Sequence, residues 1–178
     1  MYYEFECNEH GMTAYITPIQ ECSTSLIRGR IIDASTEDLP FRFEYHDPTG
    51  QPLFDYYSGE CLMSVRLVDA LEQAGVSNLQ RFETELVDKD SGSVRKDFVV
   101  ANVIGSVSCA DLGASKTSEL GSSYYFHNLV LRPESTGGAL MFRVAESRIN
   151  VLVHESVAKA VQAGNFNGIV LKPLKMSK

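Results

Sequence analysis

The sequence predicts an α+β fold, a mostly antiparallel sheet with two main amphipathic helices, and three observations carry that prediction. Short runs rich in Val, Ile, Phe and Tyr alternate with Gly-, Pro-, Asp- and Ser-rich stretches along the 178-residue chain, the pattern of strands and turns. Two segments, "LMSVRLVDALEQAGV" and "LVHESVAKAVQAG", instead space their apolar residues at helical intervals. One run, "DFVVANVIGSV", is apolar on both faces, as a strand covered on both sides must be.

Residues 2–7 alternate loosely and open the chain as a strand. "TAYITPI" and "SLIRGRII" follow as short strands whose length Pro18 and Gly29 limit. "DASTEDLP" and "HDPTGQPL" are loops, the second with Asp47-Pro48-Thr49-Gly50 in the residue order of a tight turn. Between them "FRFEY" sets Phe41, Phe43 and Tyr45 against Arg42 and Glu44, a half-buried strand. The first helix carries Met63, Leu67, Ala70, Leu71 and Ala74 as one stripe, with Ser64 as its N-cap. Gly75 follows its last residue, where a left-handed conformation favours glycine.

Residues 80–87 and 96–106 read as an antiparallel hairpin across the turn cluster "DKDSGS". "CADLGASKTSELGSS" is a connector; "YYFHNLVLRP" and "GALMFRVAES" are two more strands, and "INVLV" is a short apolar run. Val153, Val157, Ala160 and Val161 stripe the second helix, Gly164 ends it, and "GIVLKPL" closes the sheet.

The two helical segments repeat one phrase. Leu62 matches Leu152, Ser64 matches His154, Leu67 matches Val157, Ala70 matches Ala160, and Leu71 matches Val161. After a one-residue deletion Gly75 matches Gly164 and Asn78 falls near Asn167. The period is about 90 residues, half the chain. Duplication explains this internal pseudo-repeat; so do two independent helices obeying the same stripe and cap requirements. Under either explanation the phrase is scaffold.

Length and composition fit one domain spanning residues 1–178, with a strand-rich part at 1–50. Sixteen Lys and Arg against 23 Asp and Glu leave a net charge of −7, which argues against general nucleic-acid binding. The first residues lack a basic n-region and an apolar run of signal length, and no stretch is long enough to span a bilayer. The expectation is a cytoplasmic protein with no membrane partner. Cys7, His10 and Cys22 are the one set with ligand chemistry, but the second close pair of a zinc site is missing, so no metal or cofactor is expected.

The segments "DYY", "S-x-R-L-V-D-A-L-E-x-A-G-V", "VANVIGSVSCADL", "FHNLVL", "MFRVAES" and "N-G-I-V-L-K-P-L" occur in an order that resembles the bacterial immunity-protein family of polymorphic and contact-delivered toxin systems. The resemblance covers about residues 50–175 best, and its strength lies in order and spacing rather than any single motif. It implies a binding protein that neutralises a cognate toxin or effector by stoichiometric complex formation, with no catalytic residues.

For such a contact, exposed aromatics and acids are the favoured residue types, here against a basic partner surface. "HDPTGQPLFDYYSGE" offers Asp47, Phe54, Asp55, Tyr56, Tyr57 and Glu60 in a loop-like region; "DKDSGS" adds Asp88 and Asp90. The alternatives are a small enzyme with a site where His127, Asp111 and a cysteine converge, and a regulatory binding module unrelated to toxins.

Overall fold

The structure is a computed structural model that describes residues 1–8, 14–20, 25–147 and 149–177. In chain order its described residues form β1 (Tyr2–Cys7), β2 (Tyr15–Pro18), β3 (Phe41–His46), β4 (Tyr56–Tyr57), β5 (Leu62–Ser64), α1 (Val65–Gln73), β6 (Leu79–Asp88), β7 (Val94–Arg95) and β8 (Phe98–Val103). There follow β9 (Ser106–Val107), β10 (Lys116–Leu120), β11 (Ser123–Asn128), β12 (Val130–Leu131), β13 (Met141–Val144), β14 (Val151–His154), α2 (Glu155–Ala163), β15 (Ile169–Pro173) and β16 (Lys175–Met176). One sheet runs β2-β3-β6-β8-β5-β4, with β7 folded back on β6; a second runs β15-β1-β14-β13-β9; β10–β11 and β12–β16 are separate pairs. Pairing is antiparallel except for β3–β6, β9–β13 and β12–β16. The α+β class with two helices and largely antiparallel sheets is therefore as the sequence predicts. No helix among the described residues is long and apolar enough to cross a membrane.

The sequence expectation fails in several places, among them two expected strands and the run 96–106, where β8 ends at Val103 and Ser106–Val107 joins the other sheet. The segment at 25–32 contains a 3-10 turn at Leu26–Arg28, ended by left-handed Gly29, rather than a strand. Beyond it, the Gln80 side chain accepts from the Ile32 amide at 3.0 Å and donates to the Ile32 carbonyl at 2.6 Å, standing in for a strand partner. The run "YYFHNLVLRP" divides at Leu129: β11 pairs with β10, inside the expected connector, while β12 pairs with β16.

The repeated phrase is a structural repeat. Ser64 Oγ accepts from the Leu67 amide at the start of α1, and His154 Nδ1 accepts from the Ser156 amide at the start of α2, both at 3.3 Å. The cap residues Ala74 and Gly164 donate to the carbonyls of Ala70 and Ala160. The left-handed residues that follow are Gly75, at φ 96°, and Asn165, at φ 47°. The offset is thus a constant 90 residues without a deletion, and Gly75 corresponds to Asn165, not to Gly164. Gly164 is needed for another reason: a Cβ there would lie 2.1 Å from the Phe166 ring.

The pairings repeat as well. In the first half β8 lies between β5 and β6, with Val100 opposite Leu62 and Val103 opposite Leu79. In the second half β1 lies between β14 and β15, with Glu4 opposite Leu152 and Cys7 opposite Ile169. The outer partners match too, Tyr57 opposite Leu62 and Phe142 opposite Leu152. So do the parallel neighbours, Phe43 opposite Leu86 and Leu131 opposite Met176. Three flanking main-chain bonds recur at equivalent places. The Val65 amide donates to Asp97 and the Glu155 amide to Met1, both at 2.9 Å; Ser64 donates to Asp55 and His154 to Leu140 at 2.9 and 2.8 Å; Ile104 donates to Asn78 and Asn8 to Gly168, both at 2.9 Å. The two halves of the chain have therefore exchanged their central strands: β1 completes the second half's sheet, and β8 completes the first's.

Each helix covers the sheet it belongs to, α1 on β5 and β8 and α2 on β14 and β1, and the helices touch each other. Leu67, Val68 and Leu71 with Val157, Ala158 and Val161 form the shared core with Phe5, Met63 and Val153. A second cluster, Tyr2, Phe142 and Leu152, is capped by Phe126, Leu129 and Leu131 on the far face of the five-stranded sheet. Cys7, Cys61 and Cys109 are buried. The helix equivalence makes a prediction: Asn165→Gly should raise stability in urea unfolding by a few tenths of a kcal/mol, because glycine has no β-carbon to strain the left-handed region, and Asn165→Ala should lower it by about 1 kcal/mol, because alanine keeps the β-carbon and loses the polar side chain that lets asparagine adopt that conformation.

Candidate partner-binding site

Four of the eight candidate residues are not on a loop surface. Phe54, Asp55, Tyr56 and Tyr57 are all buried, which corrects the reading of residues 47–60 as one exposed loop. Phe54 lies against Gly168, where a Cβ would come 2.1 Å from its ring, and stacks with Tyr57 at 6.1 Å. The Phe54 amide donates to the Tyr57 hydroxyl at 3.1 Å, and burial pushes that phenol up to about 12. Tyr56 packs on Phe5 of the exchanged strand at 4.7 Å. Glu60, half-buried, sits at the turn end of the β4–β5 hairpin, and burial raises its carboxyl above the usual range.

Asp55 is a buried carboxylate with four partners. Its Oδ1 accepts from Ser64 Oγ at 2.5 Å and Arg66 Nε at 2.8 Å; its Oδ2 accepts from Arg66 Nη2 at 2.5 Å and the Asn167 amide at 2.7 Å. It thereby ties the start of α1 to the turn after α2. Arg66, 55% exposed, is held in the bidentate geometry that suits guanidinium and carboxylate, with its Cζ 4.5 Å from the Phe166 ring centre.

Asp47, Asp88 and Asp90 do come together. β3 and β6 run parallel, so the turns that follow them lie at the same end of the sheet. Asp47 Oδ1 accepts from the Thr49 amide and hydroxyl, and the Thr49 hydroxyl bond leads in holding its carboxyl below the usual range. Asp88 accepts from the Ser91 and Asp90 amides, which hold its carboxyl down likewise, and from the Tyr45 hydroxyl at 3.0 Å. Asp90 is exposed and contacts His46 Nδ1 at 2.9 Å. The side chains of Asp47 and Asp88 are fixed by their own turns, and that of Asp90 by the end of β3.

Beside this acidic end runs a groove lined by Leu53, Arg66, Arg95, Asp97, Phe98 and Asn167, among others. Arg95 is clamped by Asp97, Nε to Oδ1 at 3.0 Å and Nη2 to Oδ2 at 2.6 Å, and its Cζ lies 5.5 Å from the Phe98 ring centre. That hydrogen bond leads in raising the Arg95 guanidinium and lowering the Asp97 carboxyl. Sequence reasoning passed over both arginines. The signal was present in Arg66 at the second residue of a helix and in the Arg95-Asp97 spacing, but neither position looks unusual without its partner.

His127 lines a different cleft, with Glu4, Glu6, Tyr125, Lys172 and Lys175. Its Nε2 is 2.8 Å from Ser118 Oγ across the β10–β11 hairpin, and neither Asp111 nor a cysteine lines that cleft. The expected convergence of His127, Asp111 and a cysteine does not occur there. Among the described residues no group of three or more His, Cys, Asp or Glu is placed to hold a metal; His10 and Cys22 lie outside those residues. Glu4 is buried on the cleft floor, held by Asn150, and burial followed by the charge of Glu6 raises its carboxyl.

A family model described as "Immunity protein family (Imm11)" matches residues 2–176. No curated protein matches the chain.

The geometry makes two predictions. Asp55→Ala should destabilise by about 2–4 kcal/mol in chemical denaturation, because it strips partners from the Asn167 amide, Ser64 and Arg66 together. Glu4 is an acid raised by folding, so its unfavourable ionisation is absent below the ordinary glutamate range and grows as pH rises through its folded value. Glu4→Gln should therefore raise the melting temperature at pH 7 and leave it nearly unchanged at pH 3.

Proposed function

The chain belongs to the Imm11 immunity protein family, and from that membership we propose that it neutralises a cognate bacterial toxin by binding it in a stoichiometric complex, without catalysis or a cofactor. The reading places this action in the cytoplasm, where the toxin would meet its target. The observation that carries the choice of surface is the gathering of Asp47, Asp88 and Asp90 on rigid turns at one end of the seven-stranded sheet. Acids fixed by their own turns lose little freedom when a partner arrives. Together with the net charge of −7 they favour a toxin whose contact face is basic, and a nuclease is the simplest example. Glu60, at the turn end of the β4–β5 hairpin, is left outside this surface.

Co-expression with the product of the adjacent gene should restore the growth that this product alone suppresses, and the purified pair should elute as a one-to-one complex. Absence of both, with each protein folded, would sink the reading. Asp47→Lys with Asp90→Lys should lower the association rate about tenfold at low salt and flatten its dependence on ionic strength, measured by stopped flow. A wild-type rate that ignores salt would remove the steering role of the acids.

A further inference from the structure

We propose that the cleft between β1, β15 and β11 takes a basic side chain of the toxin, with the Glu4 carboxyl on its floor as the counter-charge. This rests on the immunity reading and adds a second contact to the acidic turns.

The internal repeat shows what the fold requires at this place. Glu4 and its partner Lys172, with Glu6 and Val170 beyond them, correspond to Val100 and Phe82, with Asn102 and Gln80 beyond. In the first half those positions are closed over. Phe82, Val100 and Asn102 are buried, Asn102 Nδ2 donates to the Arg30 carbonyl at 2.7 Å, and Gln80 holds both main-chain groups of Ile32, so residues 30–32 cross from β8 to β6 there. In the second half a cleft of about 350 Å³ lies over the same positions, walled by Tyr125, Phe126 and His127. The fold is thus satisfied by apolar and amide side chains where the cleft carries charge.

The charges on the floor do not balance. Glu6 pairs with Lys172, whereas Glu4 is held by the Asn150 amide and joins no ion pair among the described residues. Lys175 also lines the cleft, but it corresponds to Glu85, which β6 turns to the face opposite Phe82. The floor therefore sets two carboxyls against one ammonium, and burial followed by the charge of Glu6 raises the Glu4 carboxyl. A buried carboxylate without a cation is unfavourable, so Glu4 lowers stability where a valine serves in the other half.

A lysine or arginine side chain supplies the missing cation. Its aliphatic stem suits the wall of Tyr125 and Phe126. Tyr125, 46% exposed and braced by His127 at 5.0 Å between ring centres, presents an aromatic surface to the charge. A toxin with a basic contact face carries such residues, whereas a phosphate or carboxylate guest would meet the unpaired acid.

The test measures affinity and dissociation rate of the full chain for the product of the adjacent gene, by titration calorimetry and surface plasmon resonance. Glu4→Gln, which should raise the melting temperature at pH 7, should nonetheless bind about tenfold more weakly, a separation that a purely structural glutamate would not give. Tyr125→Ala should weaken binding about tenfold through faster dissociation. Lys172→Gln removes the competing cation and should tighten binding, with thermal melting to check that it folds. Glu119→Gln, exposed on β10 and outside the cleft, should bind as wild type does. Folded variants at positions 4 and 125 that bind within twofold of wild type overturn the cleft contact and leave the immunity reading standing. Tighter binding by Glu4→Gln with weaker binding by Lys172→Gln overturns the basic guest. Self-association that Glu4→Gln and Tyr125→Ala abolish, seen by sedimentation of the chain alone, assigns the cleft to a second copy and overturns the toxin as its occupant. A wild-type chain that does not bind the product overturns both readings.

Discussion

In each sheet the strand between the two that the helix joins comes from the other half of the chain, and most of the architecture follows from that exchange. β5 and β6 both run antiparallel to β8, so they are parallel to each other and joined through α1, with a one-strand gap between them. β14, α2 and β15 repeat the arrangement around β1. An empty gap would leave two rows of buried main-chain groups without partners, so neither half forms its sheet alone. The exchange also sets where the helices begin. Val65 and Glu155 donate to the residues that lead into the borrowed strands, which fixes α1 and α2 against them. The groove with Arg66 and Arg95 lies at that junction, where the chain enters β8 beside the first turn of α1.

How much of this is legible in the sequence depends on how local each cause is. The stripe and caps of α1, the alternation of β3 and the two-faced apolar run of β8 are local, and they read correctly. Two-residue strands such as β4, β9, β12 and β16 have no period to detect; their existence is a property of their neighbours. The repeat was legible, but its register was misread at Gly164. Matching glycine to glycine assumes that the left-handed residue is always Gly, whereas Asn165 takes that conformation and Gly164 makes room for Phe166. The strand expected at 25–32 has the right composition, but a side-chain amide from Gln80 takes the place of a strand partner there.

The acids divide along the same line. Asp47, Asp88 and Asp90 are turn residues whose partners are two or three residues away or on the adjoining strand, so they could be placed from sequence. Asp55 looks like one more loop acid. It is buried because Arg66 and the Asn167 amide, 11 and 112 residues away, reach it. Burial of a carboxylate is stable only when its oxygens are filled, and here each oxygen has two donors. The tyrosines beside it were misplaced for a related reason: Tyr56 and Tyr57 belong to an edge strand that the other sheet covers, Phe5 against one and the Gly168 turn beneath Phe54 against the other's neighbour.

Two kinds of charge on one face need not compete. At physiological salt the field of an exposed aspartate is screened within about 8 Å, so acids on exposed turns bear on the approach and orientation of a charged partner more than on final affinity. A guanidinium already paired to its own aspartate contributes almost nothing at long range, because the pair is close to neutral. The acidic turns and the arginine pairs differ in what fixes them: local turns for the first, and for the second a network that exists because two halves of the chain are locked together.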